Sequence, residues 1–332
     1  MSISVAYSHI ATLCAQAQGN SFPNPNVAAA IYSNNGEFIS DGFHDRTQSK
    51  DHAEVVALKK AGARARGATM FVSLEPCAHI GKTGPCTEVI KQSGISRVVY
   101  ALSDPNPTAA GGAEILRNSG VSVEEVTSLE LINLQRAWLH KIKTNRPLII
   151  WKIAATIDGK IAAEDKSSQW ITNEDSRNDV QVLRSQSDAI LIGTETALVD
   201  NPHLIPRSSA KRPTRIVMGE RPIPNSHHLH NQEAPTIFIQ SRKISDLLDI
   251  FKGEGFNQVL VEAGPTLGTA LLAANLIDEI VLYQAPKLLG TGTSFIGNLD
   301  IKNISNHRSL ELLSLTQLGS DIKAHYRVNG KN

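Results

Sequence analysis

Three short segments, His52-Ala53-Glu54, Pro76-Cys77 and Pro85-Cys86, contain the parts of a catalytic metal centre. One His and two Cys supply three protein ligands to zinc and leave the fourth tetrahedral position for water or substrate, which separates a catalytic zinc from a structural one. Zinc lowers the pKa of bound water from roughly 15.7 to about 7, so hydroxide is available without strong base. Glu54, two residues from His52, is placed to move protons without being a ligand: from the water, to a ring nitrogen, and on to leaving ammonia. This is the chemistry of deamination at an amino-bearing ring carbon. Taken singly the elements say little, since His-x-Glu is common and a Cys near a turn is often a small buried apolar residue. As a set, with each Cys preceded by Pro, they point to a metal. The general pattern His-x-Glu…Pro-Cys-x-x-Cys fits only in part, because Ala78 to Pro85 lie between the two Cys.

A second constellation lies downstream. Val261-Glu262-Ala263-Gly264-Pro265-Thr266-Leu267-Gly268 follows a strand and opens a helix. Such a turn offers free backbone N–H groups and the positive end of a helix dipole to a phosphate. The glycine spacing is not that of a Rossmann turn, so a plain tight turn accounts for it equally well.

These residues need a scaffold, and the chain has the length for two domains at 332 residues. Hydrophobic residues make up 41% and charged residues 20%, as in a globular protein with real cores. The net charge of +1 and the absence of a Lys/Arg block argue against nucleic acid or an anionic membrane as the partner. No apolar run approaches a membrane span, and the first residues do not read as a secretion signal. With two of three Cys in the cluster, only Cys14 is spare, so a disulfide framework is not expected and a reducing cytoplasm suits thiolate ligands.

Periodicity places helices at Tyr7–Ala17, Glu54–Ala63 and Thr87–Gln92, with strands at Val27–Tyr32, Glu37–Ile39, Thr69–Leu74 and Arg97–Ala101. That alternation predicts a three-layer α/β design with the ligands at strand-to-helix junctions. His52 and Cys86 fall at helix starts, where the dipole favours thiolate and hydroxide. The pattern pauses around Lys143 to Pro147, so domains are expected at 1–145 and 146–332. In the second, strands are expected at Leu148–Ile153, Ala189–Ile192, Arg215–Met218, Thr236–Ile239, Gln258–Val261 and Glu279–Gln284, and helices at Asp175–Ser185 and Gly268–Asn275. The Pro- and His-rich stretch from Arg207 to Pro235 reads mostly as loop.

Pro23-Asn24-Pro25-Asn26-Val27, Gly42-Phe43-His44, His52-Ala53-Glu54-Val55, Glu75-Pro76-Cys77-Ala78-His79, Gly81 to Cys86 and Asp104-Pro105-Asn106-Pro107 closely resemble the bifunctional deaminase/reductase family of riboflavin biosynthesis. The long interval between the two Cys is that family's own form of the deaminase motif. The resemblance implies a cytidine-deaminase-like three-layer α/β/α domain that deaminates 2,5-diamino-6-ribosylamino-4(3H)-pyrimidinone 5′-phosphate. It assigns zinc to His52, Cys77 and Cys86, proton transfer to Glu54, and substrate contacts to Asn24, His44, Lys82, Asp104 and Asn106. Lys82 suits the phosphate; Asp104 and the two Asn are also residues that shape turns. The chain departs from the family at Ala28, at Ile80, and at Asp45–Asp51, which is one residue longer.

The second half carries the same resemblance in Lys152 to Lys160, Ser168 to Thr172, Asp179-Val180 with Leu183-Arg184, Asp200 to Arg207, and Ala285 to Gly290. It implies a dihydrofolate-reductase-like α/β domain that reduces the ribosyl group to ribityl with NADPH, giving 5-amino-6-(5-phosphoribitylamino)uracil. Cofactor contacts are implied at Ala154, Trp170, Thr196 and Asp200, and at Gly264, Pro265, Thr266, Leu267, Gly268, Thr269 and Ala270. Substrate contacts are implied at Ser168, Arg184, Leu204, Arg207 and Glu262, with Lys152 near the substrate. Two Arg suit a phosphate-bearing substrate, because guanidinium pairs bidentately with phosphate oxygens. Met218-Gly219-Glu220-Arg221 departs from the family, and its two opposite charges leave NADPH over NADH resting on the resemblance. A homo-oligomer is expected, as is a small-molecule partner. The competing reading is a zinc nucleoside or base deaminase with an unrelated nucleotide-binding domain.

Overall fold

Ala28–Tyr32 (β1) is apolar throughout and buried on both sides, so neighbouring residues face different cores. Ala29 and Ile31 pack into one core, and Ala28, Ala30 and Tyr32 into the other. The protein is described here from a computed structural model covering residues 1–78, 84–207 and 211–329. It divides into two units, Met1–Asn145 and Arg146–Asn332.

In the first unit β1 pairs antiparallel with Phe38–Phe43 (β2) and with Thr69–Val72 (β3). Arg97–Tyr100 (β4) and Ser122–Glu125 (β5) then add in parallel, for a sheet order β2-β1-β3-β4-β5. Helix α1 (Ile3–Ala17) covers one face together with the short α5 (Leu129–Leu134). The other face is covered by α2 (Ala53–Ala61), α3 (Cys86–Ser93) and α4 (Gly112–Asn118). A last helix, α6, runs Arg136–Thr144. The result is the expected α/β/α sandwich.

The second unit is built on an eight-stranded sheet. Its strands are Leu148–Thr156 (β6), Ala189–Gly193 (β8), Thr214–Met218 (β9), Thr236–Ile239 (β10), Gln258–Val261 (β11), Glu279–Ala285 (β12), Leu310–Leu318 (β14) and Asp321–Val328 (β15). Lys160–Ala162 (β7) and Thr293–Ser294 (β13) pair apart from it. The order is β10-β9-β8-β11-β6-β12-β15-β14, parallel except where β15 and β14 add antiparallel at one edge. Helices α7 (Glu174–Gln186), α8 (Thr194–Asp200), α9 (Ile244–Glu254) and α10 (Pro265–Ala273) join the strands. Helix α10 comes so close to β6 that a Cβ on Gly268 would enter the indole of Trp151, whose Nε1 donates to Ala263 O at 3.1 Å. The parallel strands follow the predicted apolar runs; the β14–β15 hairpin, α8 and α9 were not predicted.

Candidate active site

His52 is the N-cap of α2, and Cys86 is the first residue of α3. Cys77 follows β3 on the turn that leads out of the sheet. These three bring their ligand atoms within 4.8 Å of one another, the only such group of three or more His, Cys, Asp or Glu among the described residues. His52 Nδ1 lies 3.6 Å from Cys77 Sγ and 3.3 Å from Cys86 Sγ, and the Cys86 backbone N–H donates to Cys77 Sγ at 3.3 Å. The thiol of Cys86 and, against burial, His52 hold the Cys77 sulfur down at about 4. The Cys77 sulfur, burial and Glu54 push Cys86 up. A divalent cation between the two sulfurs would favour the thiolate form of both.

Glu54, in the first turn of α2, is 3% exposed, and its Oε2 has no hydrogen-bond partner among the described residues. Burial raises its carboxyl pKa above the ordinary value. A buried, unpartnered carboxylate oxygen beside an imidazole and two sulfurs fits a zinc ion with a bound water. The donor set therefore suits the metal the sequence called for.

His52, Glu54 and Cys77 share a cavity of about 430 Å³ with Asn24, His44, Asp104 and Asn106, four of the five substrate contacts expected in this half. The fifth, Lys82, lies with Ile80 outside the described residues. His44 Nδ1 donates to Asp51 O at 2.8 Å, so Nε2 accepts from Asn24 Nδ2 at 3.0 Å. Burial lowers the His44 pKa and favours this neutral tautomer. Asp104 Oδ1 accepts the Asn106 N–H at 2.8 Å, and Asn106 Oδ1 accepts the Thr108 N–H and hydroxyl, so both also build their turn.

Sequence reasoning missed several parts of this cavity. Glu75 is 7% exposed and organises its wall: Oε1 accepts the Ala113 N–H at 2.9 Å and Oε2 the Asp104 N–H at 3.1 Å. Trp138, Lys141 and Ile142 reach it from α6, and Arg46 and Lys50 from the loop before α2. Helix α6 has an amphipathic pattern that could have located it; nothing local ties it to His52. At α4, a Cβ on Gly112 would collide with the backbone oxygen of Pro76, the residue before Cys77. Gly112→Ala is therefore expected to displace the Cys77 turn and weaken zinc retention about 10- to 100-fold, measured by chelator competition on the full-length protein. Unchanged zinc affinity would show that the turn yields without moving its ligand.

In the second unit Lys152 on β6, Glu262 just after β11 and Arg184 on α7 come together. Arg184 Nε and Nη2 donate to Glu262 Oε1 and Oε2 at 2.6 and 2.9 Å, and Lys152 Nζ lies 3.5 Å from Oε2. Burial opposes ionisation of Glu262, yet Arg184 and Lys152 hold its pKa down at about 2. Burial raises the Asp200 pKa, while Lys152 pulls it down. Arg184 also lines a groove with Leu204 and Arg207. Thus Lys152, Arg184, Leu204, Arg207 and Glu262 converge. Ala154 lies on β6 and Thr196 on α8. Ser168 and Trp170 sit on an exposed loop, with the Arg177 guanidinium 4.7 Å from the Trp170 ring centroid.

The Gly264–Ala270 segment forms the N-cap and first turns of α10. Gly264 caps it without a side-chain hydrogen bond, Pro265 opens it, and a Cβ on Gly264 would meet nothing within 4 Å. The open space in front of an uncapped helix start fits a nucleotide pyrophosphate.

Residues 1–102 match the cytidine and deoxycytidylate deaminase zinc-binding region, and residues 147–324 match the RibD C-terminal domain. Riboflavin biosynthesis protein RibD of Mycobacterium tuberculosis (strain ATCC 25618 / H37Rv) is 39% identical over 314 residues, 92% of either chain. Acinetobacter baumannii RibD superposes with a TM-score of 0.88 at 32% identity over 98% of both chains. A Thermotoga maritima diaminohydroxyphosphoribosylaminopyrimidine deaminase/5-amino-6-(5-phosphoribosylamino)uracil reductase does so with 0.89 at 28% identity, also over 98% of both.

Proposed function

Because the chain belongs to the RibD family, the bifunctional deaminase/reductases of riboflavin biosynthesis, we propose a division of labour between its two halves. Residues 1–145 deaminate 2,5-diamino-6-ribosylamino-4(3H)-pyrimidinone 5′-phosphate. Residues 146–332 form a dihydrofolate-reductase-like domain and reduce the ribosyl group to give 5-amino-6-(5-phosphoribitylamino)uracil. The observation that carries the first step is the convergence of His52, Cys77 and Cys86 beside the unpartnered Glu54 Oε2.

His52, Cys77 and Cys86 would hold the zinc, which when bound supplies the Lewis acidity that makes water a nucleophile at neutral pH. Glu54 Oε2 takes one proton from water and gives it to the ring nitrogen, then carries the remaining hydroxyl proton to the amine, which departs as ammonia while the carbonyl forms. The raised Glu54 pKa suits a group that must hold a proton between two transfers. Asn24 and the neutral His44 orient the pyrimidine edge, and the apolar wall of Trp138 and Ile142 excludes bulk water.

For the second step, the turn from Gly264 to Ala270, with Ala154, Trp170, Thr196 and Asp200, would hold NADPH, which when bound supplies the reducing equivalents. Arg184 and Arg207 bind the anionic end of the substrate; Glu262 fixes Arg184 and holds Lys152 beside the reacting sugar. Ser168 and Leu204 complete the substrate contacts. A cytoplasmic location and a homo-oligomer belong to the same proposal. The exposed Leu310, Leu312 and Leu315 on the edge strand β14 support the latter.

The test is to incubate the full-length protein with the diaminopyrimidine phosphate, with and without NADPH. Ammonia release is expected without NADPH, and NADPH oxidation only after deamination. A chelator should stop ammonia release while reduction of the supplied deaminated intermediate continues. Absence of ammonia from zinc-loaded protein would refute the assignment.

A further inference from the structure

Besides the half-buried Lys141, the deaminase cavity is lined by two exposed cations that the zinc ligands, Glu54 and the pyrimidine contacts do not use. Arg46 and Lys50 are exposed and line it. Their loop spans Asp45–Asp51, and hydrogen bonds tie it down. Asp45 is buried; its Oδ1 accepts the Thr47 N–H and hydroxyl at 2.9 and 2.6 Å, and its Oδ2 accepts Gln48 Nε2 at 3.0 Å. The Arg46 N–H donates to Asn20 O at 3.1 Å. Asp51 pairs with Lys59 at 2.5 Å. Both carboxylates of the loop are therefore engaged elsewhere, and among the described residues Arg46 and Lys50 form no ion pair.

Substrate geometry gives this charge a use. The amino-bearing carbon must lie on the cavity floor beside Glu54 and the zinc ligands. The 5′-phosphate, several bonds away on the ribose, then reaches toward the mouth. A phosphate near protein needs charged donors to offset its desolvation, and guanidinium and ammonium groups supply the strongest hydrogen bonds to it.

We infer that Arg46 and Lys50 form a phosphate-selecting rim, which binds the 5′-phosphate of the deaminase substrate and discriminates against the dephosphorylated nucleoside. This inference rests on the deaminase assignment above. The rim adds to any contact from Lys82 and sets specificity rather than chemistry, since proton transfer is already supplied by Glu54. Because both are exposed, their attraction is screened by salt.

The experiment compares ammonia release from the phosphorylated substrate and its dephosphorylated nucleoside, using zinc-loaded full-length protein without NADPH. In the Arg46→Gln/Lys50→Gln double variant, the preference in kcat/KM for the phosphorylated substrate should fall about tenfold, a change of about 1.4 kcal/mol. The loss should appear in KM, and the dependence of KM on salt should flatten. Arg46→Lys/Lys50→Arg should restore the preference. A preference unchanged in the double variant, or an equal loss on both substrates, would overturn the rim while leaving the deaminase assignment intact. A wild-type protein that released no ammonia from either substrate would instead remove the assignment itself.

Discussion

Glu54→Gln is expected to lower ammonia release about 10²- to 10⁴-fold, the range set by loss of a positioned general acid–base group. Zinc content should not change, because His52, Cys77 and Cys86 supply the ligands. Gln has nearly the same shape as Glu but cannot accept and return a proton at Oε2. The substitution therefore separates proton transfer from metal binding. The site is already apolar enough to push the Glu54 pKa upward, so a neutral amide is a small perturbation to stability. Reduction of the deaminated intermediate by NADPH should proceed at the wild-type rate. The measurements are zinc by mass spectrometry, ammonia release, and NADPH oxidation on the supplied intermediate. Residual deamination within tenfold of wild type would show that another group carries the proton.

The second large effect is expected at Glu262→Ala, and it falls on stability as well as reduction. Glu262 is 8% exposed at its side chain and neutralises Arg184 and Lys152, each 19% exposed. Removing one member of a buried ionic group leaves the others uncompensated, at a cost of about 3–5 kcal/mol. The pKa argument gives a similar size. A carboxyl lowered from 4.5 to about 2 contributes roughly 3 kcal/mol of stability at neutral pH. Because the folded pKa is the lower one, that stability is present above pH 4.5 and is lost as the pH falls from about 4.5 toward 2. The variant should therefore melt about 10 °C lower at pH 7 by calorimetry. It should also lose part of the acid-induced destabilisation that wild type shows below pH 4.5. Equal melting temperatures at pH 7 would mean that the cations relax into solvent without cost.

Much of this protein could be read before its fold was known. The zinc ligands and Glu54 sit in short segments whose residue types have few other uses together, and β1, β3, β4, β8, β9, β10 and β11 announce themselves as apolar runs bounded by turns. Other elements left weaker marks. Strand β14 is exposed along nearly its whole length, so burial imposed no alternation on its sequence. Strand β5, Ser-Val-Glu-Glu, is largely exposed at a sheet edge for the same reason. Helix α9 carries a short signal of its own, since Leu247 and Phe251 lie four residues apart and are both buried.

The sequence by itself determined the chemistry of the first half: a His/Cys/Cys metal set and a carboxylate two residues from the His. Those choices are local, because ligand type and helix or strand periodicity are written within a few residues. Only the tertiary structure decided which distant groups serve them. It set α6, some 90 residues beyond His52, against the cavity, seated Gly112 under the Cys77 turn, and paired Arg184 with Glu262 across 78 residues. It also turned Arg46 and Lys50 toward the cavity mouth. The reason is physical: such partnerships depend on which strands pair and which helices pack over them, and contacts made across long stretches of chain leave no periodic trace in either partner.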